Sequence, residues 1–212
     1  MDMSEILAEI DDHGFVDTSS TRKVSAVNDA YWDICAREEW PFLEAASTTI
    51  ATVSSQSFIA MPVDFARVIA VSNPAGAFTL LYEDYETLAK LFPSLETTTG
   101  TPLYYYFVGT IMHFYPVPNA VISLRFRYVK WPSELSVNTL ESGIVIPARH
   151  QRAIVIGALV KLYSMEDDLE QALAFRTQFE ERIQNMREDL LKRHFGSSKN
   201  RKRAGDREDG SR

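Results

Sequence analysis

The sequence predicts an α+β protein. The N- and C-terminal segments are expected to form a helical body, with an antiparallel β-rich lobe inserted between them and an extended C-terminal tail. Apolar residues recur every three or four positions near both ends, which is typical of amphipathic helices. Between them Thr, Val, Ile, Tyr and Phe dominate and Pro and Gly interrupt, which favours strands and turns. We assign residues 1–44 and 147–195 to the body, 45–146 to the lobe and 196–212 to the tail.

The first segment predicts two helices. A short helix over residues 4–12 is expected to stop at Gly14. In the second, one of Ser19, Ser20 and Thr21 caps the start, and Pro41 ends the helix near Trp40. Its apolar stripe consists of Val24, Val27, Tyr31, Ile34 and Cys35.

The central segment predicts strands joined by tight turns. The clearest strand is 121–131, where apolar and polar side chains alternate. A hairpin is expected to turn at Gly109-Thr110, since glycine readily adopts a positive φ. Another strand covers residues 67–72 and is closed by the turn 73–76. One short helix, over residues 83–92, interrupts this region and stops at Pro93.

The last segment returns to helices. Residues 148–164 are apolar almost all round, which predicts the central buried helix of the body. Gly157 inside it costs about 1 kcal/mol relative to alanine, and close approach of a neighbouring helix would explain it. A long amphipathic helix of about 40 Å follows, and we expect it to stop at Gly196. Its buried face is Ala172, Phe179, Ile183, Met186 and Leu190.

The composition is that of a globular chain with a core of ordinary size. Of its 212 residues, 45% are hydrophobic and 24% charged. The longest apolar run, 153–160, is far shorter than the roughly 20 residues that span a bilayer. The acidic N-terminal sequence lacks the features of a secretory signal. Cys35 is the only cysteine and cannot form an internal disulfide, so we expect synthesis in a reducing cytoplasm.

Charge is distributed unevenly along the chain. Residues 1–191 carry 14 Lys/Arg against 26 Asp/Glu, a net charge of −12, whereas residues 192–212 carry 8 against 3, a net charge of +5. An acidic body with a basic tail indicates a partner that the tail reaches. The alternative is a solvated terminus that only maintains solubility, and the sequence leaves both open.

No catalytic, cofactor or metal motif is present. The sequence contains no GxGxxG, GxxxxGK[ST], HExxH, CxxC or GxSxG. The acidic run 166–170 is better explained as a helix start than as a cation site, because it lacks spaced ligands. Cys35 lies on an apolar helix face and is interpreted as a buried structural thiol. The four histidines, His13, His113, His150 and His194, fall on different predicted elements. We therefore expect no enzyme activity and no cofactor.

The aromatic cluster 104–107 has two interpretations. Its rings could stack on the bases of single-stranded nucleic acid. The lobe has few clustered cations, however, with only Arg125, Arg127 and Lys130 grouped in one strand. A sheet core or a protein–protein surface is therefore favoured.

A series of small landmarks points to a family. They are WPFL (40–43), IAMPVDFARV (59–68, similar to LPxDFxRV), GTPLYY (100–105), YPVP (115–118), RYVKWP (127–132) and IP (146–147). In this order and spacing they resemble the head-to-tail adaptor (connector) proteins of tailed bacteriophages, which lie beneath the portal. The resemblance covers residues 24–195 and concerns structural motifs, so it carries no active-site residue.

The resemblance implies a virion protein of the phage neck, made in the host cytoplasm. Such proteins form a twelve-fold ring that binds the portal, receives the next tail or neck component and extends the channel for double-stranded DNA, which passes without specific binding. Family members commonly place their C-terminal segment on the portal. The corresponding basic residues here are Lys199, Arg201, Lys202, Arg203 and Arg207.

Other functions stay open at this point. A neck stopper or tail-completion protein is the nearest alternative, and the long C-terminal helix with its basic tail favours the adaptor beside the portal. A nucleic-acid-binding module and an enzyme with an unrecognised site are further alternatives.

Overall fold

A computed structural model describes residues 1–45 and 48–199, with residues 192–199 described by their backbone alone. It contains helices and largely antiparallel sheets, which confirms the predicted α+β class. The described chain divides into two compact units. The helical unit consists of residues 1–43 and the chain from 132 onward, and the β unit consists of residues 44–131.

The boundaries of the elements are as follows. The helices are α1 (Met3–Ile10), α2 (Ser20–Arg37), α3 (Tyr85–Leu91), α4 (Arg152–Met165) and α5 (Leu169–Lys199). The strands are β1 (Thr48–Ala51), β2 (Phe58–Ala60), β3 (Phe65–Asn73), β4 (Phe78–Thr79), β5 (Leu81–Tyr82), β6 (Thr99–Gly100), β7 (Tyr104–Val108), β8 (Ile111–Tyr115), β9 (Val117–Pro118) and β10 (Ser123–Lys130).

The two N-terminal helices form where the sequence predicts them. Asp2 and Glu5 make a reciprocal capping box at the start of α1. Gly14, the predicted stop, has φ +98°, a left-handed conformation that suits glycine. Ser19 caps α2 by accepting a hydrogen bond from the backbone of Arg22.

The second helix ends three residues before the predicted boundary at Trp40. Glu38 is already extended, and the Trp40 indole nitrogen donates a hydrogen bond of 2.7 Å to the carbonyl of Ile34. A side chain from beyond the helix thus satisfies a carbonyl of its last turn, and the helix needs no further residues to do so.

Helix α4 is the centre of the helical unit. All side chains from Ala153 to Leu159 are buried, as the apolar run predicts. The helix packs against both α2 and α5. A Cβ at Gly157 would lie 2.8 Å from the Cβ of Ala30 on α2 and 2.8 Å from the ring of Phe179 on α5. The predicted close approach at this glycine is therefore confirmed, from two sides at once.

The long helix extends past the residue at which the sequence predicts its end. Gly196 was expected to stop α5, but the helical backbone continues through it to Lys199. Adding a residue to an existing helix adds a hydrogen bond, and an interior glycine costs only about 1 kcal/mol. A glycine therefore stops a helix only where something else holds it in the left-handed conformation.

The stretch 132–146, which the sequence analysis placed in the lobe, lies in the helical unit. Asn28 of α2 accepts a hydrogen bond from the Leu135 nitrogen (2.8 Å) and donates one to its carbonyl (2.9 Å). Ile144 and Ile146 are buried, and the carbonyl of Thr139 accepts a hydrogen bond from Met3.

Two four-stranded sheets form most of the β unit. Their strand orders are β1-β10-β3-β4, which is antiparallel throughout, and β2-β8-β7-β5, in which β5 runs parallel to β7. A small third sheet pairs β6 with β9. The predicted hairpin joins β7 and β8, with Gly109 at φ +60°.

The core of the β unit is rich in aromatic rings. On β10 the side chains of Leu124, Phe126 and Tyr128 are buried while Arg125 and Arg127 point outward, as the alternation predicts. The inward side chains meet a shared core that includes Val71, Met112 and Phe114 from the other strands. The predicted short helix, α3, begins at the capping residue Asp84 and packs Leu88 beside Tyr106 and Tyr115.

Candidate functional site

The predicted portal-binding residues lie at the end of α5 and beyond it. Lys199 is the last residue of this helix, and Arg201, Lys202, Arg203 and Arg207 lie outside the described residues. The first of these basic residues is therefore also the last residue of a 31-residue helix, about 46 Å long. How α5 is held in the helical unit determines how this segment is presented.

One face of α5 is fixed by burial. Ala172, Phe179, Ile183 and Met186 are buried, and Leu190 is half-buried, as the spacing predicts. Most of the intervening side chains are exposed. A single apolar stripe thus attaches the helix to its neighbours and leaves its other side to solvent.

Ion pairs connect α5 to α2. The guanidinium of Arg37 donates hydrogen bonds to Glu180 (2.7 Å) and to Asp33 (2.9 Å), and it lies 4.9 Å from the ring centre of Phe179. The hydrogen bond to Glu180 is the largest influence on the pKa of Arg37, which is raised although partial burial opposes the rise. Arg37 therefore remains a cation in this contact.

A second set of polar contacts holds α5 closer to its C-terminal end. Asp189 accepts from Arg149 at 2.8 Å and lies 3.0 Å from the ring nitrogen of His150, both in the turn before α4. Arg187 forms an ion pair with Glu38. These contacts fix the helix within about three turns of Lys199, and sequence reasoning missed them because partners far apart in sequence have no local pattern.

A groove of about 520 Å³ lies among α2, α4 and α5. Gly157 and Ala30 line it together with Lys161, Arg176 and Glu180. Its remaining lining residues are Asp33, Arg37, Val160, Ser164 and Phe179. Three cations and two carboxylates line it, and Arg37 is already bonded to both carboxylates, so the groove has no concentration of one charge to recognise a ligand.

A more apolar groove of about 490 Å³ lies in the β unit. Phe65 and Val68 of β3 form one side of its lining, and Tyr82, Tyr105 and Phe107 contribute rings from β5 and β7. Phe65 and Val68 belong to the family landmark 59–68, but no local sequence pattern indicates that they line a surface. An apolar groove of this kind can accept side chains of a protein partner.

The aromatic cluster 104–107 is mainly structural. Tyr105 and Tyr106 are 7% and 5% exposed, and each belongs to an apolar core of the β unit. His113 stacks on Tyr106 with ring centres 5.0 Å apart. The two central rings are thus unavailable to stack on bases, which confirms the core interpretation for them.

The described histidines, Cys35 and the acidic run 166–170 make separate structural contacts. The His13 carbonyl accepts from Tyr163, and its ring packs against Phe175. Burial lowers the pKa of His113 and raises the pKa of the Cys35 thiol to about 12. The carboxylate of Asp168 caps α5 by accepting from the Gln171 nitrogen at 3.1 Å.

These residues do not form a metal centre. Over the part of the chain that the structure describes, no group of three or more His, Cys, Asp and Glu side chains is placed to hold an ion. The side chain of His194 lies outside that part. None of the helices in the described ranges is long and apolar enough to cross a membrane.

Comparison with known families identifies the chain. The family model described as SU10 adaptor protein matches residues 1–203, which is nearly the whole sequence. The chain belongs to the SU10 adaptor protein family. This is a family of phage head-to-tail adaptors, and the resemblance drawn from the sequence landmarks is therefore confirmed. A comparison with curated proteins found no match.

Membership of the SU10 adaptor protein family gives the chain a phage adaptor role. An adaptor acts through surfaces, so α5 with its basic continuation and the groove of the β unit are the two features of functional interest.

Proposed function

We propose that this chain forms a ring at the neck of a tailed phage, where it joins the portal to the tail and extends the DNA channel. The observation that carries the proposal is the match to a phage adaptor family over residues 1–203. A ring of twelve copies would match a twelve-fold portal. The other side of the ring would receive the next tail or neck component.

The basic residues at the end of α5 attach the ring to the portal. Lys199, Arg201, Lys202, Arg203 and Arg207 can form charge-assisted hydrogen bonds to carboxylates or backbone carbonyls. Each exposed ion pair contributes at most about 1 kcal/mol, but the contacts are repeated in every copy. Burial and ion pairs hold α5 in the helical unit and so give this segment a defined starting point.

Double-stranded DNA passes through the ring without specific binding. Residues 1–191 have a net charge of −12, whereas proteins that hold DNA neutralise its phosphates with many cations. An acidic ring offers little resistance to a moving duplex. The role needs no catalysis and no cofactor.

The ring assembles on the portal rather than in solution. We expect the isolated protein to be a monomer or a weak oligomer. The basic segment can make its contacts only when the portal is present. Copies bound side by side on the portal are at a high local concentration, which favours contacts between neighbouring copies.

A portal pull-down tests the attachment. The full chain is compared with a chain ending at Lys199 and with a variant in which Arg201, Lys202, Arg203 and Arg207 are replaced by glutamine. The matched control replaces the acidic residues of the same segment (Asp206→Asn, Glu208→Gln and Asp209→Asn). We expect the first two variants to lose most of their portal binding at unchanged melting temperature, and the control to retain it.

Three results would contradict the proposal. Unchanged binding by the shortened chain would remove the role of the basic segment. Binding to a tail component but not to the portal would indicate a neck stopper or tail-completion protein instead. Salt-dependent affinity for DNA at physiological ionic strength would favour a nucleic-acid-binding module.

A further inference from the structure

Strand β1 is the longest edge strand of the two larger sheets in the β unit. Their strand orders are β1-β10-β3-β4 and β2-β8-β7-β5, so β1, β4, β2 and β5 lie at the edges. β1 has four residues, whereas β2 has three and β4 and β5 have two each. Among the described residues, β1 pairs with β10 alone, and its other side has no strand partner.

Two residues of β1 direct their backbone groups away from the sheet. The nitrogen of Thr52, directly after β1, donates a hydrogen bond of 2.9 Å to the carbonyl of Ile122. Alternate residues of an antiparallel pair face the partner strand, so the backbone of Ile50 also faces β10. The N–H and C=O groups of Thr49 and Ala51 therefore point to solvent, and both residues are exposed.

The sequence around β1 lacks the features that normally protect an edge strand. Charged side chains and prolines usually prevent such strands from pairing with other molecules. Residues 45–57, which include β1, contain neither a charged residue nor a proline. At β2, in contrast, the Gln56 side chain donates a hydrogen bond of 2.9 Å to the carbonyl of Phe58 and occupies part of that edge. The edge at β1 is thus the one suited to another strand.

We propose that the β1 strands of two copies pair antiparallel and so form a dimer of the free protein. A two-fold axis at Ile50 places Thr49 of each copy opposite Ala51 of the other. The outward N–H and C=O groups of these residues then exchange hydrogen bonds in both directions, as directly opposed residues of an antiparallel pair do. The pairing joins the β1-β10-β3-β4 sheets of the two copies into one continuous sheet.

Charge favours a second copy of this chain as the partner. The chain has a net charge of −7, so two copies repel each other over much of their surface. The two-fold arrangement brings the uncharged segment around β1 of one copy against the same segment of the other. Identical molecules can therefore meet here without opposing like charges across the new pair of strands.

The contact closes after two copies. It joins like surfaces, so it uses the β1 edge of both partners and does not propagate. A ring whose copies share one orientation has no two-fold axis between neighbours, so this dimer belongs to the free protein and goes beyond the proposed function. Only two residues of each copy contribute new hydrogen bonds, and we therefore expect the dimer to dissociate on dilution.

Disulfide trapping of the free protein tests the register. The variants Thr49→Cys and Ala51→Cys are mixed at high concentration and oxidised. Opposed residues have Cα atoms about 5.5 Å apart, which is within the range of a disulfide. Two copies of the same variant place the cysteines in diagonal positions about 7–8 Å apart, beyond that range. We expect covalent dimers from the mixture and none from either variant alone.

The chain with both substitutions distinguishes a two-fold contact from one that continues. We expect covalent dimers and no larger species, and a ladder of multimers would contradict the closed contact. The parent chain reports on Cys35, which is buried and is expected to remain unreactive. No dimer from the mixture, or an equal yield from one variant alone, would overturn the pairing.

Ala51→Pro tests the contact without a crosslink. Proline removes the N–H that points away from β10, so β1 keeps its pairing within the chain and loses a donor to the second copy. In sedimentation equilibrium the parent should dimerise as its concentration rises, and the variant should do so about tenfold more weakly or less. Thr49→Val leaves the backbone groups in place, and this matched control should dimerise like the parent.

The design keeps this inference apart from the proposed function. Both measurements use the free protein, so their results do not depend on whether the portal binds, and loss of the dimer leaves the adaptor ring intact. Thermal melting shows whether Ala51→Pro is folded; if it is not, the disulfide experiment decides alone. A parent chain that stays monomeric at every concentration and gives no trapped dimer would overturn the proposal.

Discussion

Gly157 of α4 lies so close to Ala30 of α2 that a Cβ on the glycine would fall 2.8 Å from the alanine Cβ. Phe179 of α5 approaches the same point from another side. The three helices that form the centre of the helical unit therefore meet at a residue without a side chain. This contact sets how closely α5, the helix that leads to the basic segment, packs on the body.

Gly157→Ala should lower the free energy of unfolding of the helical unit. Alanine is the better helix former by about 1 kcal/mol, but overpacking a tight contact costs about 1–3 kcal/mol. We expect a net loss of about 1–2 kcal/mol in urea unfolding followed by circular dichroism. Ala30→Gly in the same chain should recover part of the loss, and a variant as stable as the parent would contradict the packing.

Asn28→Ala should destabilise the connection between α2 and the segment that follows β10. The substitution leaves the buried nitrogen and carbonyl of Leu135 without their partner, at a cost of about 2 kcal/mol or more. Hydrogen exchange at the Leu135 amide should accelerate. Asn119→Ala, at an exposed position, is the matched control and should change stability by less than about 0.5 kcal/mol.

The ion pair between Lys23 and Asp11 should respond unequally to removal of its two partners. The atoms lie 2.6 Å apart, and the side chains are 7% and 34% exposed respectively. Asp11→Ala leaves a buried ammonium unpaired and should cost about 2–3 kcal/mol. Lys23→Met leaves a carboxylate that water can reach and should cost less. Thermal melts that reverse this order would contradict the burial of Lys23.

Stability should fall as the pH rises above 9. Burial raises the pKa of Cys35 from an ordinary value of 9.0 to about 12, and that of Tyr31 from 10.0 to about 12. Between these values the unfolded chain loses protons that the folded chain retains, so alkali favours unfolding until the pH reaches the folded pKa values.

Cys35→Ala isolates the thiol's part in this pH dependence. Its urea midpoint should decline less than that of the parent between pH 9 and pH 10, where the unfolded thiol ionises before the tyrosines. Equal declines in the two proteins would show that the thiol already ionises freely in the fold.

Local patterns predicted most of the elements. The alternation in β10, the glycine of the β7–β8 turn and the apolar run of α4 each reflect interactions within a few residues, and each was confirmed. The predicted helix end at Gly196 was wrong, because a glycine ends a helix only where its backbone is held in a left-handed turn.

The functional surfaces were harder to predict because they depend on residues far apart in sequence. Landmarks around Phe65 and Val68 indicated the family, but the groove they line also needs Tyr82 and Phe107. The order of the strands in the two sheets is likewise not visible in the sequence, since a sequence pattern does not show which strands are neighbours.

The most direct test of the adaptor function is the mass of the complex formed with the cognate portal. Purified portal is mixed with an excess of this chain, and the assembly is measured by native mass spectrometry, with the portal alone and the chain alone as references. The account predicts twelve copies bound to a twelve-subunit portal and no stable ring without it. No binding, or a stable ring of another number on the portal, would contradict the proposed role.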